Sequence, residues 1–192
     1  MTAETIFSIL IGIGLAASVG FRVFVPLFTL SIAAHFGIVP LNENWEWIGS
    51  NTAMIMLGVA TVMEILAYLI PWLDNLLDTI TIPLATIAGT AVMVSTVAHL
   101  DPTLTWALAI IAGGGTATAI KTSTSATRLA STGTTGGVAN PIVSTIETGT
   151  SIGVSILSIF IPILAIIVVL ILLWLFFKVF KLFKRKKTSP NV

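Results

Sequence analysis

GGGTATAIKTSTSATRLASTGTTGGVANPIVSTIETGTS, residues 113–151, holds 23 Gly, Ser or Thr among its 39 residues and only three charges, Lys121, Arg128 and Glu147. In a soluble linker this composition makes a flexible coil. Here the flanking segments are apolar enough to cross a bilayer, and the reading changes. Between membrane spans, small residues favour close helix packing or broken backbone around a polar cavity. Any function is expected to sit in this tract.

Composition sets the broad class. Of 192 residues, 56% are hydrophobic and only 9% charged, with a mean hydropathy of +1.06. A soluble domain carries roughly 25% charged residues. Six of the nine basic residues, Lys178, Lys181, Lys184, Arg185, Lys186 and Lys187, lie in the last fifteen positions. The net charge of +1 therefore describes a tail. That tail suits a cytoplasmic membrane face with anionic lipid and excludes a nucleic-acid reading. The chain divides into one transmembrane domain, residues 1–177, and a basic cytoplasmic tail, residues 178–192. The absence of cysteine excludes disulfides, thiolate metal sites and thiol catalysis.

Uncharged runs mark the spans. Residues 152–177 form 26 consecutive positions without a charge, 79–98 form 20 and 103–120 form 18. A further span begins at 49–63 and continues to 70 through one acid, Glu64. Near the N-terminus, 5–21 and 23–41 are both apolar and are separated only by Arg22. The opening Met-Thr-Ala-Glu lacks the basic region of a cleaved signal peptide, so 5–21 is read as a span. The positive-inside rule places the C-terminus in the cytoplasm, and the acidic, tryptophan-bearing stretch 42–47 outside. The expectation is an all-α, polytopic membrane helical bundle of six to seven spans, with broken or re-entrant helices.

Isolated charges in apolar surroundings are the candidate site. Gly12-x-Gly14 precedes Arg22 and Pro26, and Gly113-Gly114-Gly115 precedes Lys121, Arg128 and Asn140-Pro141. This echo suggests an internal repeat of two broken helices, the pattern of a transporter site near the midplane. Gly20, Gly113, Gly114 and Gly115 are expected to open the backbone. Arg22, Lys121, Arg128 and Asn140 are the candidate substrate-binding residues, because guanidinium forks and exposed amides suit an anion. Glu64, Asp74, Asp78 and Glu147 are the candidates for proton or ion coupling. Asp74 and Asp78, four apart, share a face if helical. Pro71 places them in an interfacial turn or short helix. Glu64 sits about two turns earlier, on the order of 10 Å deeper, where a carboxylate needs Arg22, Lys121 or Arg128 as partner or must be protonated.

Enzyme signals fail on inspection. The stretch from Gly115 to Thr122 nearly spells a phosphate-binding loop, but Ile120 stands where the second glycine is required and no strand precedes it. Ser123 and Ser125 beside Lys121 are hydroxyls of a kind that usually bond helix carbonyls. His35 and His99 lack metal-ligand spacing. No enzyme, cofactor or metal site is expected.

The ordered set Gly14 to Arg22, Pro26-Leu27, Glu64, Pro71-x-x-Asp74-x-x-x-Asp78, Ala88-Gly89, Gly113-Gly114-Gly115, Arg128 and Asn140-Pro141 resembles a bacterial membrane-protein family known as domain of unknown function 4126. The resemblance covers the chain up to about Gly153 and implies a polytopic protein of the bacterial inner membrane, without an activity. This chain carries Tyr68 and Leu69 where relatives often carry an acid and a lysine. Residues and resemblance together suggest a small transporter or permease for an anionic solute or lipid head group, with membrane lipids as partners. The alternative is a scaffold or lipid-binding protein whose buried charges form a static network.

The orientation is testable because the chain has no native thiol. A single cysteine at Asn44 should react with an impermeant maleimide added to intact cells, and one at Ser189 should react only after lysis. Labelling of the Ser189→Cys protein from outside would refute it.

Overall fold

In the computed structural model, which describes residues 2–97 and 100–186, every regular element is helical. The side chains of residues 71, 72, 74, 75, 179, 180 and 182–186 lie outside the description, as do His99, the Asp74 carboxylate and the end of the basic tail. The helices are α1 (Ala3–Val19), α2 (Phe24–His35), α3 (Asn51–Ala67), α4 (Pro71–Thr96), α5 (Pro102–Leu108), α6 (Gly115–Thr135), α7 (Asn140–Phe160) and α8 (Pro162–Lys186). A 3-10 turn, Glu43–Gly49, precedes α3. A π-helical segment, Ala109–Gly114, joins α5 to α6 in one continuous 34-residue helix. Among the described residues, three helices are long and apolar enough to cross a membrane, or four if the 3-10 turn and α3, bent by 64°, count as one span.

Contacts between named residues give the topology. Gly14 faces Ser158, Ser18 bonds Ser151 and Ser155, and Arg22 bonds Ser144. Hence α1 runs antiparallel to α7. The chain then reverses at residues 20–23, and α2 returns along α7 towards Ile159. Glu64, at the far end of α3, meets the 20–23 turn, so α3 is antiparallel to α2. Along α4, Asp78 lies near Lys121 while Thr86 and Gly89 face Thr118 and Gly113. Consecutive helices thus alternate in direction around α1. The turn at 20–23, the end of α3, the start of α4 and the α6–α7 hairpin all gather at one end of the bundle.

Small residues make this packing possible. A side chain on Gly113 would lie 2.6 Å from the Gly89 carbonyl oxygen and 2.7 Å from Met93 Cβ. The carbons and oxygens of two helices therefore meet directly there. Gly20 approaches Ile120 in the same way, with its absent Cβ 2.5 Å from that residue's Cβ. The Ser18 hydroxyl donates to the Ser151 carbonyl at 2.7 Å, and Ser151 returns a bond to the Ser18 carbonyl at 3.1 Å. Interhelical hydroxyls and glycines of this kind supply cohesion where lipid removes the hydrophobic drive between helices.

The structure departs from the sequence reading in two places and decides between its alternatives in a third. Of close-packed helix and broken backbone, the tract 113–151 is the first: it forms most of the α6–α7 helical hairpin, interrupted near Gly136 and Gly137, whose φ of 64° and 87° make the turn. Its hydroxyls bond carbonyls one turn back, as Thr127 does to Ser123 at 3.0 Å and Thr145 to Pro141 at 2.8 Å, which satisfies them inside a helix. The proposed repeat finds no matching shapes, since Arg22 lies in a tight reversal and Lys121 within a continuous helix. Asp74 and Asp78 lie on a long helix rather than in an interfacial turn or short helix, because Pro71 opens the 26-residue helix α4. Proline is tolerated there because the first-turn N–H has no helical partner.

Gly113 is also the sharpest test of the packing. Gly113→Ala should destabilise the protein by about 1–3 kcal/mol through overpacking. Gly149→Ala, which enters open space in the interior of α7, should be neutral or stabilising by up to about 1 kcal/mol. Thermal unfolding in detergent compares them, and equal midpoints would contradict the packing described.

Candidate functional site

Tyr68, the only tyrosine in the chain, is the hub of a buried charge cluster. It caps α3 just before the Pro71 helix start. The guanidinium carbons of Arg22 and Arg128 lie 4.0 and 4.3 Å from its ring centroid, and Lys121 Nζ lies 5.0 Å away. An aromatic face attracts cations more strongly once both are desolvated. Arg22, Tyr68, Lys121 and Arg128 are each at most 1% exposed. Lys121 donates to the Tyr68 hydroxyl at 2.9 Å, and that hydroxyl pairs with Thr81 Oγ1 at 3.1 Å.

Carboxylates compensate the cations. Arg128 grips Glu147 with two nitrogens, Nε at 3.1 Å from Oε1 and Nη2 against Oε2, the bidentate geometry that guanidinium favours. The same Oε2 lies 3.8 Å from Arg22 Nη1, so one acid serves two arginines. Asp78 takes Lys121 at 3.1 Å and lies 4.0 Å from Arg128 Nε. Arg22 is held further by Thr148 Oγ1 at 2.9 Å and by the Ser144 carbonyl and hydroxyl at 3.0 and 2.5 Å. Its Nη1 has no hydrogen-bond acceptor among the described residues.

Glu64 takes a different role from the one its position suggests. Its two carboxylate oxygens accept the backbone N–H groups of Val23 at 2.7 Å and Phe24 at 2.9 Å. A carboxylate from α3 thus fills the anion-favouring N-terminus of α2, and the charges of Arg22 and Lys121 act on it as well. It fixes the backbone beside Arg22. Asn140 donates to Thr132 at 3.0 Å and braces the α6–α7 turn.

The structure therefore brings together Arg22, Lys121 and Arg128 with Asp78 and Glu147, and anchors Glu64 at their edge. Asp74 lies outside the described side chains. The glycines serve packing more than opening: Gly20, Gly113 and Gly114 face Ile120, Gly89 and Thr90, while Gly115 faces open space. Sequence reasoning passed over Thr81, Ser144 and Thr148, and noted Tyr68 only as a departure from the family's pattern. The one available signal was a lone tyrosine at a break between two apolar runs. Among the described residues no three His, Cys, Asp or Glu groups sit together as metal ligands.

The chain matches the family described as Domain of unknown function (DUF4126) over residues 9–182, and it belongs to that family. That span takes in every residue of the cluster. No curated protein and no solved structure matches the chain.

The shared carboxylate should dominate the energetics. Glu147→Gln leaves Arg128 and Arg22 without their common anion, and should cost about 3–5 kcal/mol of stability. Tyr68→Phe keeps the ring but leaves Lys121 and Thr81 without the hydroxyl, at about 1–3 kcal/mol. Thermal unfolding ranks the two, and the reverse order would place the hub at the hydroxyl instead.

Proposed function

We propose that this DUF4126 protein is a small proton-coupled carrier for an anionic group, a phosphate or a phosphate-bearing head group. The observation that carries the reading is the sharing of Glu147 by Arg22 and Arg128. With Glu64, Asp78 and Glu147 ionised, the three described acids balance Arg22, Lys121 and Arg128. Protonating Asp78 or Glu147 leaves one positive charge unbalanced in a low-dielectric interior, where a charge needs a counter-ion. An entering anion supplies it. A proton and a negative charge then load together, and the arginine fork passes from an internal carboxylate to the ligand. Asp78 is the most open of the ion-paired groups, its side chain 13% exposed, which supports proton entry there. Glu64 positions Arg22 through the α2 backbone. No covalent step is required, so the reading is a carrier and not an enzyme.

The alternation of helix directions supports seven crossings with the basic tail on the cytoplasmic side of a bacterial inner membrane. At 17, 12 and 17 residues, α1, α2 and α3 are short, and local bilayer thinning or snorkelling side chains would accommodate them. A second reading, a membrane scaffold, is favoured by the balance of the cluster itself, since charges that satisfy one another need no ligand.

Uptake into proteoliposomes separates the two. With inorganic phosphate and glycerol phosphate as probes, acid outside should accelerate uptake by the unmodified protein. Arg128→Lys keeps charge but loses the fork; it should lower the unfolding temperature by weakening the buried pair with Glu147, and should also slow uptake by the protein that remains folded about tenfold, the equivalent of one lost hydrogen bond. Asp78→Asn should remove the dependence on the proton gradient. A scaffold predicts no uptake of either probe by the unmodified protein, so that both variants change stability alone.

A further inference from the structure

Inside the charge cluster one donor and one acceptor face each other without bonding, and that pair limits what an anion there can be. Arg22 is fully buried. Its Nε donates to Thr148 Oγ1, and its Nη2 to the carbonyl and hydroxyl of Ser144. Its Nη1 has no acceptor among the described residues. Glu147 Oε2 stands 3.8 Å from that nitrogen, too far for a direct hydrogen bond. A carboxylate offers about four lone-pair sites. Glu147 gives one on each oxygen to Nε and Nη2 of Arg128, so it keeps acceptor capacity beside Arg22.

A group that completes this pair accepts from the guanidinium and donates to the carboxylate. A hydroxyl does both. A bare oxyanion oxygen accepts from Nη1 but repels Oε2. Among anions, a phosphate with a free P–OH combines the charge with the hydroxyl. Sulfate has no O–H at neutral pH, and a phosphodiester has lost its own to esterification. The charge agrees with this choice. Asp78 is the more open acid, its side chain 13% exposed against 6% for Glu147. With the proton on Asp78, Glu64 and Glu147 leave one of the three cations Arg22, Lys121 and Arg128 unbalanced, and a singly charged phosphate restores neutrality.

We infer that the cluster selects an anion that keeps a P–OH, inorganic phosphate or a phosphate monoester, its hydroxyl accepting from Arg22 Nη1 and donating to Glu147 Oε2. Sulfate and phosphodiesters, the ordinary phospholipid head groups among them, are rejected because they leave the buried carboxylate facing a second acceptor. This rests on the anion-carrier reading and narrows it. Glu147 stays ionised as the acceptor that reads the hydroxyl, and Asp78 holds the proton that loads with the ligand.

The test is thermal unfolding of the detergent-solubilised protein with inorganic phosphate, glycerol phosphate, sulfate and dimethyl phosphate. At about pH 5 the first two are monoanions with a P–OH, since a phosphate monoester loses its last one at about pH 6. Both should raise the unfolding temperature by roughly 5–10 °C at a hundredfold excess over Kd. Dimethyl phosphate has the same charge and lacks only the O–H. It and sulfate should bind roughly ten- to a hundredfold more weakly. At about pH 8 both phosphates are chiefly dianions, but only inorganic phosphate retains a P–OH, and only it should still stabilise. Glu147→Gln, whose amide can donate, should admit all four probes; the pH comparison on the unmodified protein decides the matter if this variant does not fold. Equal stabilisation by the four probes, a glycerol phosphate response that persists at the higher pH, or unchanged discrimination in Glu147→Gln would each overturn the selection and leave the anion reading standing. No response to any probe would overturn both.

Discussion

A charge inside a membrane domain must find its opposite, and in this protein the constraint is met at one carboxylate. Glu147 holds Arg128 through both oxygens and stands 3.8 Å from Arg22. Arg22 follows α1, Arg128 lies in α6 and Glu147 in α7. Satisfying them together requires the 20–23 reversal to reach the α6–α7 hairpin. Tyr68 and Asp78 then bring in the junction of α3 and α4. The cost of leaving any of these ions unpaired in an apolar interior is several kcal/mol. The converging helix ends are best understood as the geometry that avoids it.

Close approach of the backbones is the second requirement. Arginine and lysine side chains are long, but three cations can surround one ring only if their helices are near. Gly20 against Ile120, Gly89 against Gly113 and Ser18 against Ser151 and Ser155 set those distances. The π-helical turn at Ala109–Gly114 belongs to the same device, since it presents Gly113 and Gly114 to α4 directly before Lys121 and Arg128. Such single-turn bulges often accompany functional sites. Here the visible consequence is packing. Outward-facing threonines of α6 and α7, such as Thr127, Thr134 and Thr145, remain compatible with lipid because their hydroxyls return to carbonyls of their own helix.

The two ends of the bundle divide the chemistry between them. At one end, acids and bases are balanced and nearly closed to solvent, so any ligand has to exchange with an internal partner. At the other, Glu43 and Glu46 stand on the 3-10 turn, and residues 36–70 contain no lysine or arginine. Glu64 marks the boundary of the first: its carboxylate occupies the N-terminus of α2.

Much of this was legible before any coordinates. Long uncharged runs require helices in a membrane, because an unsatisfied backbone cannot face lipid. Ions stranded between them, such as Arg22, Arg128 and Glu64, stand out for the same reason. The tail's lysines and the family resemblance were equally plain. Partner choice was not legible. Glu147 lies 19 residues from Arg128, a separation that means contact only once Gly136 and Gly137 fold the tract back on itself. The sequence also permitted Glu64 to choose an arginine, whereas the tertiary arrangement offered it two backbone amides. Local composition determined where the helices are and which side chains are out of place in lipid. Only the packing of small residues decided which of those side chains meet, because pairing depends on distances between helices that no single segment contains.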